Sequence, residues 1–331
     1  MPRVSILMPC RDAAAWLPEA IASLEAQTFD AYEVVAVDDG SSDATPELLT
    51  AWARRDGRVR VLRPPVRGLV AALNAGLDAA SGELVARMDA DDVAEATRLE
   101  KQVAFLDAHP DIAACGTRVR YFPDEVVRDG ARRYERWLNS LVTPDDIARD
   151  IFVECPIAHP TLMARRSALF AVGGYRDMGW PEDYDLILRL WSAGHRLANV
   201  PEVLLHWREG ESRASRTDPR YSPESFRRCK VHHLRRTHLV GRDGVVVWGA
   251  GPVGKAFARE LRAQGETVRA FVDIDPRKIG QTVHGAPVVP PEGLGAFAGA
   301  FVVAAVGQPG AREEIRAALE GMGWRDWCAV A

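Results

Sequence analysis

The chain is 331 residues long, 47% hydrophobic and 27% charged, with 27 glycines and 21 prolines. These proportions exclude a disordered, collagen-like or coiled-coil protein, and the length predicts two domains, each able to bury its own core. The net charge of −4 excludes an obvious nucleic-acid binder; only four of the 42 basic residues are lysine, an arginine excess that suits phosphate recognition but is explained more simply as compositional bias.

The opening MPRVSILMPCRD turns polar too quickly for a signal peptide, and nowhere do 18 apolar residues run together, so no spanning helix is expected. Val4–Met8 reads as a buried strand, followed by Leu17, Ala20, Ile21 and Leu24 at helical spacing. Val34–Val37 is a second strand running into Asp38-Asp39-Gly40. Thr45-Pro46-Glu47 opens a helix, and Val59–Leu62 is a third strand. Leu69 through Ala80 carries another helical stripe, and Glu83–Met88 is a strand entering Asp89 directly. Strands alternating with helices in this way predict βαβ units and a parallel sheet covered on both faces.

Residues 110–180 mix prolines, aromatics and charge, and read as strands and loops shaping a cleft. A helix over Asp183–Gly194 follows. Ser212–Pro223 is polar, and Phe226–Arg242 is basic without an acid, so 216–242 reads as a basic helical linker with a solvated face. Contact of that face with a membrane surface is the competing reading. A second βαβ start comes at Val245–Trp248, with Gly249-x-Gly251-x-x-Gly254 after the strand and Asp273 at the end of the next one. Phe301–Val306 and a last helix around Ile315–Met322 complete a small α/β domain over 243–331. The five cysteines have no metal-ligand spacing, which favours a reduced, cytoplasmic setting.

Chemistry concentrates at strand ends. In open α/β sheets ligands bind beyond the carboxyl ends of the strands, and both Asp38-Asp39 and Asp89-Ala90-Asp91-Asp92 lie there. Two acidic clusters converging on one crevice repel unless a cation or ligand donors lie between them. Asp89 and Asp91, projecting the same way from an extended segment, would ligate one hard cation, Mg²⁺ or Mn²⁺.

These residues resemble those of the family 2 inverting glycosyltransferases of GT-A fold. The resemblance spans about residues 3–215 and rests on ordered motifs: VSILMP at 4–9, SLEAQTF at 23–29, VDDGSSD at 37–43, Gly68 through Asn74-Ala75-Gly76, DADD at 89–92 with Arg98-Leu99, and EDYDL at 182–186. It implies that Pro9 and Asp39 line the donor nucleobase pocket. Asp89 and Asp91 would hold the donor diphosphate through the cation, and Asp183 would be the general base with Glu182 beside it. The fold class is then α/β, a GT-A domain over 1–215 followed by a small Rossmann-like domain.

Where the family has Tyr-Asn or His-Asn after the first strand this chain has Arg11-Asp12, Leu73 replaces a frequent arginine, and Gly210 replaces a histidine. Arg208 in the closing segment is a candidate diphosphate contact, while His206 and His159 are candidate ligand or acceptor contacts. The implied activity is metal-dependent transfer of a sugar from a nucleoside-diphosphate sugar, a UDP-sugar in the first instance. The acceptor is a saccharide or lipid-linked hydroxyl, in surface polysaccharide or glycoconjugate synthesis. Gly249, Gly251, Gly254 and Asp273 leave two readings open for the second domain: nucleotide binding, or a structural, dimerising role. An NAD-linked nucleotide-sugar oxidoreductase and a non-catalytic sugar-nucleotide-binding protein are the alternatives for the whole chain.

Overall fold

A computed structural model describes residues 1–210 and 213–331. The chain divides into two compact units, one of residues 1–147, 156–178 and 182–217, the other of 148–155, 179–181 and 218–331.

In chain order the elements are β1 (Val4–Cys10), α1 (Leu17–Glu25), β2 (Tyr32–Asp38), α2 (Thr45–Arg55), β3 (Val59–Leu62), α3 (Leu69–Ala79), β4 (Leu84–Arg87), β5 (Val93–Ala94), α4 (Arg98–Ala108), β6 (Ile112–Phe122), α5 (Asp129–Ser140), α6 (Pro144–Asp150), β7 (Met163–Arg165), α7 (Arg166–Ala171), α8 (Glu182–Ser192), β8 (Arg196–Arg208) and α9 (Ala214–Thr217). After them come α10 (Pro223–Leu234), β9 (Val245–Trp248), α11 (Pro252–Ala263), β10 (Val268–Val272), β11 (Thr282–Val283), β12 (Ala286–Val289), β13 (Phe301–Ala304), α12 (Ala311–Gly321) and β14 (Trp327–Ala329).

The first unit holds an eight-stranded sheet in the order β3-β2-β1-β4-β7-β6-β8-β5. β3, β2, β1 and β4 are parallel neighbours, with Val4 opposite Tyr32 and Cys10 opposite Asp38. β7 runs antiparallel to both β4 and β6. Because successive strand residues point to opposite faces, Val4, Ile6 and Met8 join Leu17, Ile21, Leu49 and Trp52 in one core layer. On the other side Gly76 of α3 lies against Leu7 and Val37, where a Cβ would stand 2.0 Å from Leu7 Cδ1. The register leaves the ends of β1, β2 and β4 side by side, which brings Asp38-Asp39 and Asp89 to one edge.

Two expectations are corrected. Residues 110–180 contain helices: α5 and the Leu141 that caps it place Tyr134, Trp137, Leu138 and Leu141 at i, i+3, i+4 and i+7, a stripe of which Leu138 and Leu141 are buried and the two aromatics pack on the core. The basic segment is helical over Pro223–Leu234 rather than to residue 242, and its basic residues are not uniformly solvated. Lys230 is buried, its ammonium donating to the carbonyls of Val153 (2.6 Å) and Val330 (3.1 Å).

The second unit carries a six-stranded sheet in the order β11-β12-β10-β9-β13-β14, parallel from β12 to β14, with the short β11 antiparallel at its edge. Its core is built from Val245–Val247, Phe271, Val302, Val303, Phe257 and Leu319.

Candidate functional site

The strand-end loops of the first unit are held by side chains. Asp39 follows β2, and its amide donates to the Cys10 carbonyl (2.8 Å), closing the end of β1 beside Pro9. Asp39 is buried. One carboxylate oxygen accepts the Gly68 amide (2.6 Å), and the other stands 3.8 Å from Arg11 Nη1. Asp38 turns away, capping Ser41 and pairing with Arg63. The Arg11-Asp12 departure thus has a local logic: Arg11 faces Asp39, while Asp12 accepts the Ser42 amide and hydroxyl, bonds that hold its carboxyl below the usual range.

After β4 the chain makes a turn over Ala90-Asp91, not the extended segment anticipated. The turn still gathers carboxylate oxygens of Asp89, Asp91 and Asp92 within 4.8 Å of one another. Beneath it Arg87, 3% exposed, donates from Nη2 to Asp89 Oδ1 at 2.6 Å, while its Nε and Nη1 have no hydrogen-bond partner. Burial, then the neighbouring Asp89, pushes the Asp91 carboxyl up to about 6. Asp92, 1% exposed, is pushed well above its ordinary value by burial and then by Asp89 and Asp91. Its Oδ1 accepts the Arg208 amide (2.7 Å), and Oδ2 has no hydrogen-bond partner. An all-carboxylate set with a buried, unpartnered oxygen fits a hard divalent cation, and Asp89 and Asp91 are the residues that would hold it.

Arg208, at the end of β8, is drawn to this turn. Its Nε donates to the Asp91 carbonyl (2.6 Å), its guanidinium lies 4.4 Å from the Trp16 ring centroid and 4.3 Å from that of Phe122, and it pairs with Glu19. His206 is brought elsewhere, to Glu95 (2.7 Å).

The Glu182-Asp183 pair opens α8. Glu182 is 1% exposed, whereas Asp183 is only partly buried, so Asp183 is the carboxylate a substrate could reach. His159 Nδ1 stands 4.0 Å from Glu182, and its Nε2 meets the Tyr175 hydroxyl at 2.9 Å. Tyr175 is clamped by Asn74, which accepts its amide and donates to its carbonyl, both at 2.9 Å. Burial, then the Arg87 charge, holds His159 well below its ordinary pKa, so the ring is neutral. Arg87 interacts electrostatically with both Asp89 and Glu182, and Tyr175 with Asp89, Glu182 and Asp183. The two acidic motifs therefore share one pair of buried neighbours. The sequence reading missed Arg87 and Tyr175, although a charged residue inside the apolar run ELVARMD was a visible anomaly.

In the second unit, Gly249, Gly251 and Asp273 line a cavity of about 570 Å³. Gly254 does not line it: a Cβ there would stand 1.8 Å from the Gly249 carbonyl oxygen, so this glycine lets α11 pack on the turn.

Residues 5–173 match the family described as Glycosyl transferase family 2. The chain is 34% identical over 265 residues to the protein EpsE of Bacillus subtilis, covering 77% of this chain and 90% of that one. It is 34% identical over 195 residues to the amylovoran biosynthesis glycosyltransferase AmsE of Erwinia amylovora, 59% of this chain and 71% of that one. Among solved structures, TarS of S. aureus in complex with UDP-GlcNAc superposes with a TM-score of 0.57 at 20% identity, covering 71% of this chain and 66% of that one. The mannosyltransferase PcManGT of Pyrobaculum calidifontis, in complex with GDP-Man and Mn²⁺, gives 0.51 at 23%, covering 80% and 69%. These two likenesses show the mixed α/β fold of GT-A glycosyltransferases.

Proposed function

The chain belongs to glycosyl transferase family 2, and on that premise we propose that it is a metal-dependent inverting transferase that moves a sugar from a UDP-sugar to a saccharide or lipid-linked acceptor hydroxyl. The observation that carries the reading is the convergence of Asp89, Asp91 and Asp92 beside Arg87, which also senses Glu182 next to Asp183.

In this reading Pro9 and Asp39 line the nucleobase pocket, with the Asp39 oxygen not spent on Gly68 left for the base. Asp89 and Asp91 would hold a divalent cation, which would supply positive charge where negative charge grows on the departing diphosphate. Asp183 takes the proton from the acceptor hydroxyl, whose oxygen forms a bond to the anomeric carbon on the face opposite the nucleotide. The bond from that carbon to the diphosphate oxygen breaks, and the nucleoside diphosphate leaves with the electron pair. One displacement inverts the centre without an enzyme nucleophile. Glu182, almost fully buried and 4.0 Å from His159 Nδ1, stands beside Asp183 in the catalytic pair. Arg208 is a candidate diphosphate contact, its planar cation already beside the acidic turn.

Support for the donor class comes from the nucleotide sugars named in the TarS and PcManGT complexes; support for a role in surface polysaccharide or glycoconjugate synthesis comes from the amylovoran relative. The second unit is read as a Rossmann-like domain over 243–331, after the 216–242 linker, with a dimerising role open to it. Among the described residues no helix is long and apolar enough to cross a membrane. A cytoplasmic enzyme with peripheral membrane contact is the proposed setting. The oxidoreductase and non-catalytic alternatives are not favoured, because the family match takes in Asp39, Asp89 and Asp91.

The test is a donor-hydrolysis screen over nucleotide sugars with Mg²⁺ and Mn²⁺, on wild type and Asp91→Ala. Hydrolysis of a UDP-sugar that needs the cation and is lost in the variant is expected. Hydrolysis of none, or hydrolysis indifferent to both metal and variant, would sink the proposal.

A further inference from the structure

The cavity of the second unit lies where the order of its parallel strands reverses. From β9 the chain crosses to β10 on one side, and β13 lies against β9 on the other. That switch point is where open α/β sheets take ligands. The walls come from the segments that leave these strands: Gly249, Gly251 and Val253 after β9, Asp273 and Ile274 after β10, and Val306 and Gly307 after β13, with α12 closing one side. At about 570 Å³ the space falls within the range of small-molecule sites, about 300–1,000 Å³.

The three fingerprint glycines have different reasons to be glycine. Gly249 has φ +116°, and a Cβ there would meet the Ala305 carbonyl oxygen at 2.9 Å and Val306 at 2.7 Å. Gly254 is fixed by its contact with Gly249. Gly251 has an ordinary φ of −85°, and a Cβ on it would meet nothing within 4 Å. Neither backbone nor packing asks for glycine at 251; what the missing side chain leaves is open cavity at the head of α11. The first amide of that helix to find a helical acceptor is Lys255, which donates to the Gly251 carbonyl. The amides of Val253 and Gly254 precede it, at the positive end of a twelve-residue helix, a setting that favours a phosphate. Lys278 also lines the space. On the α12 side Val306, Ala311, Ile315 and Ala318 offer apolar surface for a flat ring, with Glu314 of the same helix also lining the space.

Asp273 bears on which nucleotide fits. One carboxylate oxygen accepts the Ala250 amide (2.8 Å) and the Lys278 ammonium (2.9 Å), and the other accepts the Asp275 amide (2.9 Å). The acid at the position that grips the adenosine ribose of a dinucleotide is here spent on holding the glycine turn. We propose that this cavity binds a nucleoside diphosphate, with phosphate over Gly251 and base on the α12 wall, and is not a dinucleotide site. This rests on the Rossmann-like reading of the second unit and is independent of the transferase chemistry.

Calorimetry on the full chain in EDTA, which silences metal-dependent donor binding, tests it with UDP, GDP, ADP and NAD⁺ as probes. Expected is 1:1 binding of at least one diphosphate, retained in Asp91→Ala and weakened at least tenfold in Gly251→Val. Gly251→Ala, with circular dichroism on both variants, provides the same readout should the larger side chain unfold the unit. Binding unaffected by either substitution, no binding by any probe in EDTA, or a preference for NAD⁺ would overturn the proposal. Loss of donor hydrolysis with this binding intact would remove the transferase reading and leave this one standing.

Discussion

Asp92 separates two roles that a third acid in a metal-binding turn can play. It is almost fully buried, its Oδ1 holds the Arg208 amide at 2.7 Å, and Oδ2 has no hydrogen-bond partner. Its carboxyl is pushed well above the ordinary value by burial and by Asp89 and Asp91, which favours the protonated form in the metal-free protein. Asparagine is close to isosteric with the protonated acid, and it keeps an acceptor for the Arg208 amide. Alanine removes that acceptor and strands a partly buried amide, which costs about 2 kcal/mol. For a unit of this size that lowers the melting temperature by roughly 4–8 °C. The expectation is that Asp92→Asn melts within about 2 °C of wild type and keeps donor hydrolysis with Mn²⁺ within about tenfold. Asp92→Ala should show the full loss of stability. Scanning calorimetry and a coupled assay for released nucleoside diphosphate read both. If Asp92→Asn loses hydrolysis as completely as Asp91→Ala, the negative charge of Asp92 is used on the cation and the positioning argument is wrong.

Asp183→Asn should retain donor affinity by calorimetry and lose transfer by about 10²–10⁴-fold, the usual share of a general base; full turnover would reassign the base. His159, held well below its ordinary value of 6.5, resists protonation in the native state while the unfolded ring titrates normally. Its stabilising contribution is therefore complete above pH 6.5 and is lost as pH falls below it, at up to about 1.4 kcal/mol per pH unit. Asp91 and Asp92, raised in the fold, act with the opposite sign, so the readout is a difference: between pH 6.5 and 5, His159→Gln should lose stability less steeply than wild type in denaturant titrations, and parallel curves would refute the assignment. In the second unit Gly254→Ala must displace the Gly249 carbonyl and should cost about 1–3 kcal/mol, lowering that unit's transition. Gly251→Ala, three residues away, should leave it unmoved; equal effects would contradict the packing.

What was legible in the sequence is what local pattern encodes. The alternation of buried strands and helices placed β1 to β4, and an acid following a strand is visible without coordinates, so Asp39, Asp89 and Asp91 could be named in advance. The contacts beneath them could not be. Asn74 reaches Tyr175 across 101 residues, and no spacing rule joins them. The α5 stripe was present as Tyr134, Trp137, Leu138 and Leu141, but Gly130 and its arginines obscured the period. Lys230 was assigned to a solvated face because buried lysines are rare. It is buried because two carbonyls from distant segments satisfy its ammonium, a fact of tertiary structure alone.

The arginine excess has a partial structural account around the acidic turn. Three acids within 4.8 Å repel, yet the first unit must fold before any ligand arrives. Arg87 neutralises Asp89 directly. Arg98, 2% exposed, supports Arg87 from below by donating to its carbonyl at 2.6 Å and reaches Gln102 with Nε. Arg213, stacked 4.5 Å from the Trp207 ring centroid and paired with Glu209, adds positive potential at Asp91 and Asp92. Lysine would not serve equally at Arg98 or Arg213, where the planar head makes more than one directed bond or stacks on a ring. Arg87 shares the charge of Asp89, while burial pushes Asp91 and Asp92 toward protonation against the pull of these cations. A cation bound here would draw the Asp91 carboxyl back down from about 6, so its binding weakens as the pH falls through that value.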